Sequence, residues 1–302
     1  MGQVVGLSDG RQASYEVVGR GRPALMLPGG PGFGSGYMRG DAELFADAVQ
    51  SYLIDPHGSG GSSPPSDPQG YSPEGHAAFY EEVRQALDLH EVLLVGHSFG
   101  ATTALTYSAL FPDEVVACVA VAAFGIGPDT GTADADGAEA DYERALARHA
   151  GADWYPEART VMDEWTERVL ATDDPHEVER MMQLVLPLYA AHPDRPEVAA
   201  SLAAMSRHLT TDLAATKAWE GGLYQTIDLR PVLTKIKTRT LVVAGELDFL
   251  CGPAQARPIC QATAGARLEI IPDCGHLPAV EAPRAYYDVV DRFLADIERE
   301  FR

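Results

Sequence analysis

The stretch Glu91-Val92-Leu93-Leu94-Val95-Gly96-His97-Ser98-Phe99-Gly100-Ala101-Thr102-Thr103-Ala104-Leu105-Thr106-Tyr107 decides how the rest of the chain is read. Its first five residues form a short apolar run and predict a buried strand. Residues 101–107 predict a helix. Between them stands a serine with a glycine two residues to each side, the pattern of a nucleophile elbow. Crowding explains the glycines. A turn this tight strains the serine backbone, and a side chain at Gly96 or Gly100 would strike the neighbouring strand or helix. The turn leaves the Ser98 hydroxyl at the C-terminal end of the strand. It also sets the helix N-terminus, with its free N–H groups, beside any oxyanion that develops there. Taken alone, the pentapeptide also fits a plain Gly/Ser linker.

Working outward, residues 24–27 read as a buried strand that runs into Pro28-Gly29-Gly30-Pro31-Gly32-Phe33-Gly34, a loop by composition. Residues 13–19 alternate weakly and predict an edge strand. Residues 41–50 predict a helix with Leu44, Phe45 and Val49 on one face, and 51–54 the next strand. Ser72-Pro73-Glu74 starts a helix, with a capping serine and proline at the first helical position, that runs to about Leu89. Residues 115–122 predict a further buried strand.

The pattern changes at Phe124. From there to about Thr226 helical periodicity dominates. An acidic, small-residue loop over 125–137 comes first, then helices over 138–149, 157–171, 176–189 and 198–209. Strand signal returns at 240–244, followed by a helix over 253–263, a strand over 267–271 and an amphipathic helix from Ala282 to about Glu298. Strands alternating with helices predict an α/β fold, a mostly parallel sheet with helices on both faces. The expected division is a core of residues 1–124 and 227–302 with an inserted helical cap over 125–226.

The 302 residues carry a formal charge of -21, which argues against a nucleic-acid partner because phosphates would be repelled. The charge fits simple solubility, or an acidic mouth that attracts cationic substrates. The 46% hydrophobic content supports a sizeable core. Cys118, Cys251, Cys260 and Cys274 show no metal-ligand spacing and are expected to be free thiols. Cys118 reads as core, and Cys251 and Cys274 as neighbours of the site. No signal peptide and no bilayer-spanning run is visible, so a cytoplasmic enzyme with no membrane partner is expected. Nothing points to a metal, phosphate-loop, haem, flavin or nicotinamide site, and the cofactor expectation is none.

The chain resembles the α/β-hydrolase superfamily with a helical cap. Four motifs carry the resemblance over nearly the whole length. They are the loop Gly29-Gly30-Pro31-Gly32, the Asp55…Gly58…Gly60…Ser62 loop, the elbow, and a late acid followed by a histidine. Gly29-Gly30-Pro31-Gly32 is most similar to the proline iminopeptidase group, which cleaves N-terminal proline from peptides. That group usually has histidine before the first glycine, where this chain has Pro28.

A serine hydroxyl is a weak nucleophile at neutral pH and needs a base, and the base needs an orienting group. Of the nine histidines, His276 alone follows the last predicted strand, where the fold needs the base. His97 reads as structural. His57 either approaches the site from its loop or is a solvated loop histidine. The resemblance implies Asp248 as the orienting acid, with Glu246 a solvated charge two residues earlier, and Asp55 organises its own turn. Phe99, the residue after the nucleophile, would give one oxyanion N–H. By the resemblance Gly30 would give the other.

In the insertion, Trp154, Tyr155, Trp165, Trp219 and Tyr224 either wall a substrate pocket or pack the cap. Glu220, beside Trp219, either meets a substrate amine or is solvated. The expected function is a cofactor-free serine hydrolase acting on an ester or amide of a small molecule or short peptide. A proline iminopeptidase is the narrower alternative, and an acyltransferase or a non-catalytic receptor the alternatives of other classes. Serine in the elbow excludes an aspartate-nucleophile hydrolase.

Overall fold

The computed structural model describes residues 2–127 and 142–300. Eight strands form one sheet: β1 (Gln3–Gly6), β2 (Gln12–Gly19), β3 (Arg22–Leu27), β4 (Val49–Ile54), β5 (Val92–His97), β6 (Val115–Val121), β7 (Arg239–Gly245) and β8 (Arg267–Ile271). Their spatial order is β1-β2-β4-β3-β5-β6-β7-β8. β1 and β2 pair antiparallel, and β2 pairs antiparallel with β4. Every pairing from β4 to β8 is parallel. Parallel strands flanked by helices are covered on both faces, so the central ones are apolar throughout. β5, at the middle of the parallel run, is buried at all six positions.

The helix Phe99–Leu110 packs behind β5, and only its last two residues escape burial. Its close approach to the sheet accounts for the glycines flanking Ser98. A Cβ on Gly100 would lie 2.0 Å from the Leu27 carbonyl oxygen, and one on Gly96 2.3 Å from the Gly100 carbonyl. Both obstacles are backbone and cannot swing away. Gly100→Ala should therefore cost about 3 kcal/mol or more, the upper end of overpacking penalties. A denaturant melt should show this as a lowered midpoint at unchanged slope, and a wild-type midpoint would contradict the packing.

Some predicted elements differ from the observed ones. Residues 13–19 were expected at the sheet edge, but β1 lies outside β2 and takes that place. β1 is four mostly exposed residues without apolar alternation, so it carries little signal on its own. The predicted helix over 41–50 is only Arg39–Leu44. The Arg20 and Arg22 N–H groups donate to the Ala46 and Ala48 carbonyls, and the chain turns into β4 by Val49. The helix expected over 157–171 is two helices, Tyr155–Asp163 and Trp165–Ala171, broken at Glu164 with φ -97° and ψ 5°.

Between Val121 and Arg239 the described residues contribute no strand to the sheet. They form a run of helices that includes Pro175–Val185, Pro196–Ser206 and Leu213–Ala218. Residues 142–147 are helical, while the acidic loop over 128–137 and the expected helix start at Ala138 lie outside the described residues. The isolated bridge Phe33↔Thr211 ties this interval to the Gly-rich loop, and Ile126↔Asp228 pairs its two ends with each other. Among the described residues no helix is long and apolar enough to cross a membrane.

Candidate active site

β5 ends directly on Ser98. The Ser98 N–H donates to the Val121 carbonyl of β6 at 2.9 Å, and the Ser98 carbonyl accepts from the N–H groups of Ala101 and Thr102. To make the turn Ser98 adopts φ 55° and ψ -123°. Such a conformation costs an L-residue about 1–3 kcal/mol and persists only where the surroundings over-determine it. Here the sheet holds one side and the helix the other. The Phe99 N–H, first of that helix, has no acceptor among the described residues, and neither has the Gly30 N–H. Gly30 has φ +125°, a region where glycine is favoured, and a Cβ there would meet the Gly32 nitrogen at 2.8 Å.

Asp248 follows β7 and His276 follows β8. The turn of each parallel strand brings the two loops together at the C-terminal edge of the sheet. His276 Nδ1 lies 2.8 Å from Asp248 Oδ2, with side chains 3% and 0% exposed. Asp248 Oδ1 accepts from the N–H groups of Leu250 (2.9 Å) and Cys251 (3.0 Å). Burial alone would raise the Asp248 pKa. The neighbouring imidazole and these N–H donors outweigh burial and hold the carboxyl below its usual range. With Nδ1 donating to Asp248, the neutral His276 ring keeps Nε2 as its acceptor.

The His276 loop is bound to the insertion. The His276 N–H donates to the Tyr189 carbonyl at 2.8 Å. Glu281 accepts from Gly275 (3.0 Å) and Leu277 (3.1 Å), the residues on either side of His276, and from Ala191 (2.6 Å). The Gly-rich loop is tied to the insertion in the same way. The Asp212 N–H donates to the Gly32 carbonyl at 2.7 Å, and the Gly34 N–H to the Thr210 carbonyl at 3.1 Å.

Ser98, His276, Gly30 and Phe99 line one cavity of about 250 Å³. Most of the remaining wall is apolar or aromatic, including Phe124, Trp165, Met182, Tyr189, Trp219, Tyr224 and Phe249. Trp219 stands edge-on to Phe99, with ring centroids 5.2 Å apart. Glu220 also lines this wall. It sits in the kinked helical segment Trp219–Leu223, where Gly222 has φ 142°, and accepts from Trp165 Nε1 (2.9 Å) and Thr166 Oγ1 (2.6 Å). Burial pushes its carboxyl up, against the pull of those two donors.

Of the insertion aromatics, Trp165, Trp219 and Tyr224 face the cavity. Trp154 and Tyr155 pack against the helix core instead. Cys251 lines the cavity, Cys118 and Cys274 are buried, and all four cysteines are free thiols. Glu246 is exposed, as expected of a solvated charge. Asp55 accepts from Ser35 N–H and Oγ and from Gly61 N–H, which organises its own turn and the one before it. The solvated reading of His57 is corrected. His57 is 3% exposed, its ring tilted against Phe79 with centroids 4.1 Å apart, and burial pulls its pKa down to about 4. Among the described residues no group of three His, Cys, Asp or Glu side chains is placed to hold a metal ion.

The sequence reading did not single out Tyr37, Glu281 or the cavity methionines. Tyr37 had one visible signal, an aromatic at the end of Gly34-Ser35-Gly36. The methionines reach the cavity through the docking of separate helices, which no local pattern shows.

The sheet order, the strained serine after β5 and the acid and histidine after β7 and β8 together define an α/β-hydrolase architecture. The chain belongs to the alpha/beta hydrolase fold family, whose model matches residues 23–283. An uncharacterised protein of Mycobacterium tuberculosis is 25% identical over 289 residues, covering 96% of this chain and 80% of the relative. A proline iminopeptidase of Clostridium botulinum is 23% identical over 280 residues and covers 92% of each chain. Among solved structures, an alpha/beta fold family hydrolase from Bacillus anthracis superposes with a TM-score of 0.75 at 16% identity, over 98% of this chain and 99% of that one. The enol-lactonase from Burkholderia xenovorans superposes with a TM-score of 0.72 at 20% identity, over 97% and 100%. At such identities the structural likeness speaks to the fold alone.

Proposed function

We propose that the protein is a serine hydrolase that cleaves an ester or amide bond of a small, largely apolar substrate through an acyl-enzyme on Ser98. The observation that carries this reading is the 2.8 Å contact between His276 Nδ1 and the buried Asp248 Oδ2, with His276 on the wall of the same cavity as the strained Ser98. In the first step His276 Nε2 takes the Ser98 proton while Oγ bonds to the carbonyl carbon. The carbonyl electron pair moves to oxygen, where the Gly30 and Phe99 N–H groups receive it. Asp248 stabilises the imidazolium, which then protonates the leaving group as its bond to carbon breaks. Water repeats the sequence on the acyl-enzyme. Residues 125–226 act as a cap over a core of 1–124 and 227–302, and their side chains select the substrate. The test is a panel of p-nitrophenyl esters beside aminoacyl-p-nitroanilides, proline included, with Ser98→Ala as the blank. Ester hydrolysis that Ser98→Ala abolishes supports the reading, and turnover that survives the substitution contradicts it.

One observation favours the narrower aminopeptidase reading. Glu220 has two neutral donors and no cation partner among the described residues. An ammonium entering an apolar cavity is costly unless a carboxylate meets it. The iminopeptidase relatives supply the same suggestion. On this reading Glu220→Gln should raise KM for prolyl anilides about tenfold or more and leave simple esters nearly unchanged, a loss of binding rather than of nucleophilicity. Equal KM values in wild type and variant on prolyl anilides would remove the aminopeptidase reading and leave the esterase one.

A further inference from the structure

Tyr37 belongs to the short turn Ser35–Met38 that follows the Gly-rich loop. Its hydroxyl joins two parts of the site. The Gly29 N–H donates to Tyr37 Oη at 2.6 Å, and Tyr37 Oη lies 2.9 Å from His97 Nδ1. His97 Nε2 lies 2.9 Å from the carbonyl oxygen of His276. The proton positions follow from the chemistry of the partners. A carbonyl oxygen only accepts, so His97 Nε2 carries the hydrogen. Nδ1 is then a lone-pair acceptor and takes the Tyr37 O–H. The buried His97 ring stays neutral, its pKa pulled down to about 3 by burial and by the neighbouring imidazole. The chain therefore runs in one direction, from Gly29 N–H through Tyr37 and His97 to the backbone of His276. Its first member, Gly29, abuts the nucleophile. A Cβ on Gly29 would lie 2.8 Å from Ser98 Cβ and 3.2 Å from Tyr37 Oη.

We propose that Tyr37 is a positioning residue, which through His97 holds the Gly29–Gly30 loop and His276 in fixed register on either side of Ser98. The proposal rests on the serine-hydrolase reading above. A preorganised donor stabilises an oxyanion only if its backbone does not move when charge develops. In Tyr37→Phe the ring still fills its place, but the Gly29 N–H loses its acceptor and His97 Nδ1 its donor. The loop that presents the Gly30 N–H is then free to shift.

The experiment compares wild type, Tyr37→Phe, His97→Asn and the double variant. It measures kcat and KM on a p-nitrophenyl ester, the Ki of a boronic acid that mimics the tetrahedral adduct, and the fraction of sites labelled by a fluorophosphonate. Tyr37→Phe should lower kcat about 10- to 100-fold, keep KM within about twofold and weaken the boronate by the same factor as kcat, per labelled site. The double variant should be no slower than the slower single variant, because the two side chains act as one unit. Unchanged kcat and Ki in Tyr37→Phe overturn the proposal. So does a loss that disappears on correction for labelled sites, which marks a merely structural role, and so do additive losses in the double variant. If Tyr37→Phe does not fold, His97→Asn must itself show the kcat and Ki losses, and their absence overturns the proposal. Absence of labelling at Ser98 in the wild type would overturn the serine reading and this proposal with it. Normal wild-type labelling with an unaffected Tyr37→Phe overturns the proposal alone.

Discussion

Replacing Asp248 by asparagine should lower kcat by about 10,000-fold while leaving the fold and KM largely intact. Asparagine fits the same space and its amide oxygen still faces Leu250 and Cys251, whose N–H groups donate to Asp248 at 2.9 Å and 3.0 Å. What it loses is the demand that His276 Nδ1 be the donor. An amide can offer its own N–H to Nδ1, and the ring then carries its proton on Nε2, where the serine proton must go. The loss of negative charge also removes the stabilisation of the imidazolium. A stability signature accompanies the kinetic one. The Asp248 pKa is lowered on folding from the ordinary 3.8. A group depressed in this way contributes stability that is present above its unfolded pKa and is lost as pH falls through the lower folded value. The wild type should therefore lose this contribution on acidification below about pH 4, and Asp248→Asn should lack that part of the acid dependence. Stability curves of identical shape in acid would contradict this account of the Asp248 carboxylate, and near-normal kcat in Asp248→Asn would contradict the role given to the acid.

Ser98→Ala should be the more damaging change, on the order of a million-fold in kcat, because the proposed acyl-enzyme forms on this hydroxyl alone. The substitution removes one oxygen from a residue that is already 9% exposed, and the backbone strain at φ 55° stays as it was. Stability should move by less than about 1 kcal/mol, and substrate analogues that need no covalent step should still bind. A steady-state assay and a melt on the same preparation separate the two effects. Residual turnover above about one part in a thousand, insensitive to further change at His276, would point to a different nucleophile.

The legible part of the fold was the part encoded locally. β5 and the turn after it announce themselves because six buried positions in a row and two flanking glycines have few other uses. His276 could be found because the last strand, β8, agrees with its prediction at both ends, Arg267–Ile271. Choosing Asp248 over Glu246 needed the resemblance, since both carboxylates follow the same strand. The structure separates them by burial, with Asp248 enclosed and Glu246 at the surface. The less legible features are those created by tertiary contact. β1 is a strand only because β2 pairs with it, and the break at Glu164 carries no proline or glycine to announce it. Trp165 and Glu220 are 55 residues apart in sequence yet hydrogen-bonded on the cavity wall. Tyr37 and His97 are separated by 60. Trp165 and Glu220 both lie between β6 and β7, and Tyr37 and His97 both precede β6, so each pairing depends on long-range folding within its own part of the chain.

The measurement that bears most directly on the central claim is the mass of the enzyme during turnover. The protein is mixed with a p-nitrophenyl ester, quenched in acid within the first turnovers, and digested for peptide mapping. The account predicts one added acyl group, on the peptide that carries Ser98, released on incubation in buffer and absent from Ser98→Ala. Turnover of the ester with no adduct at Ser98, or with the adduct on another side chain, would contradict it.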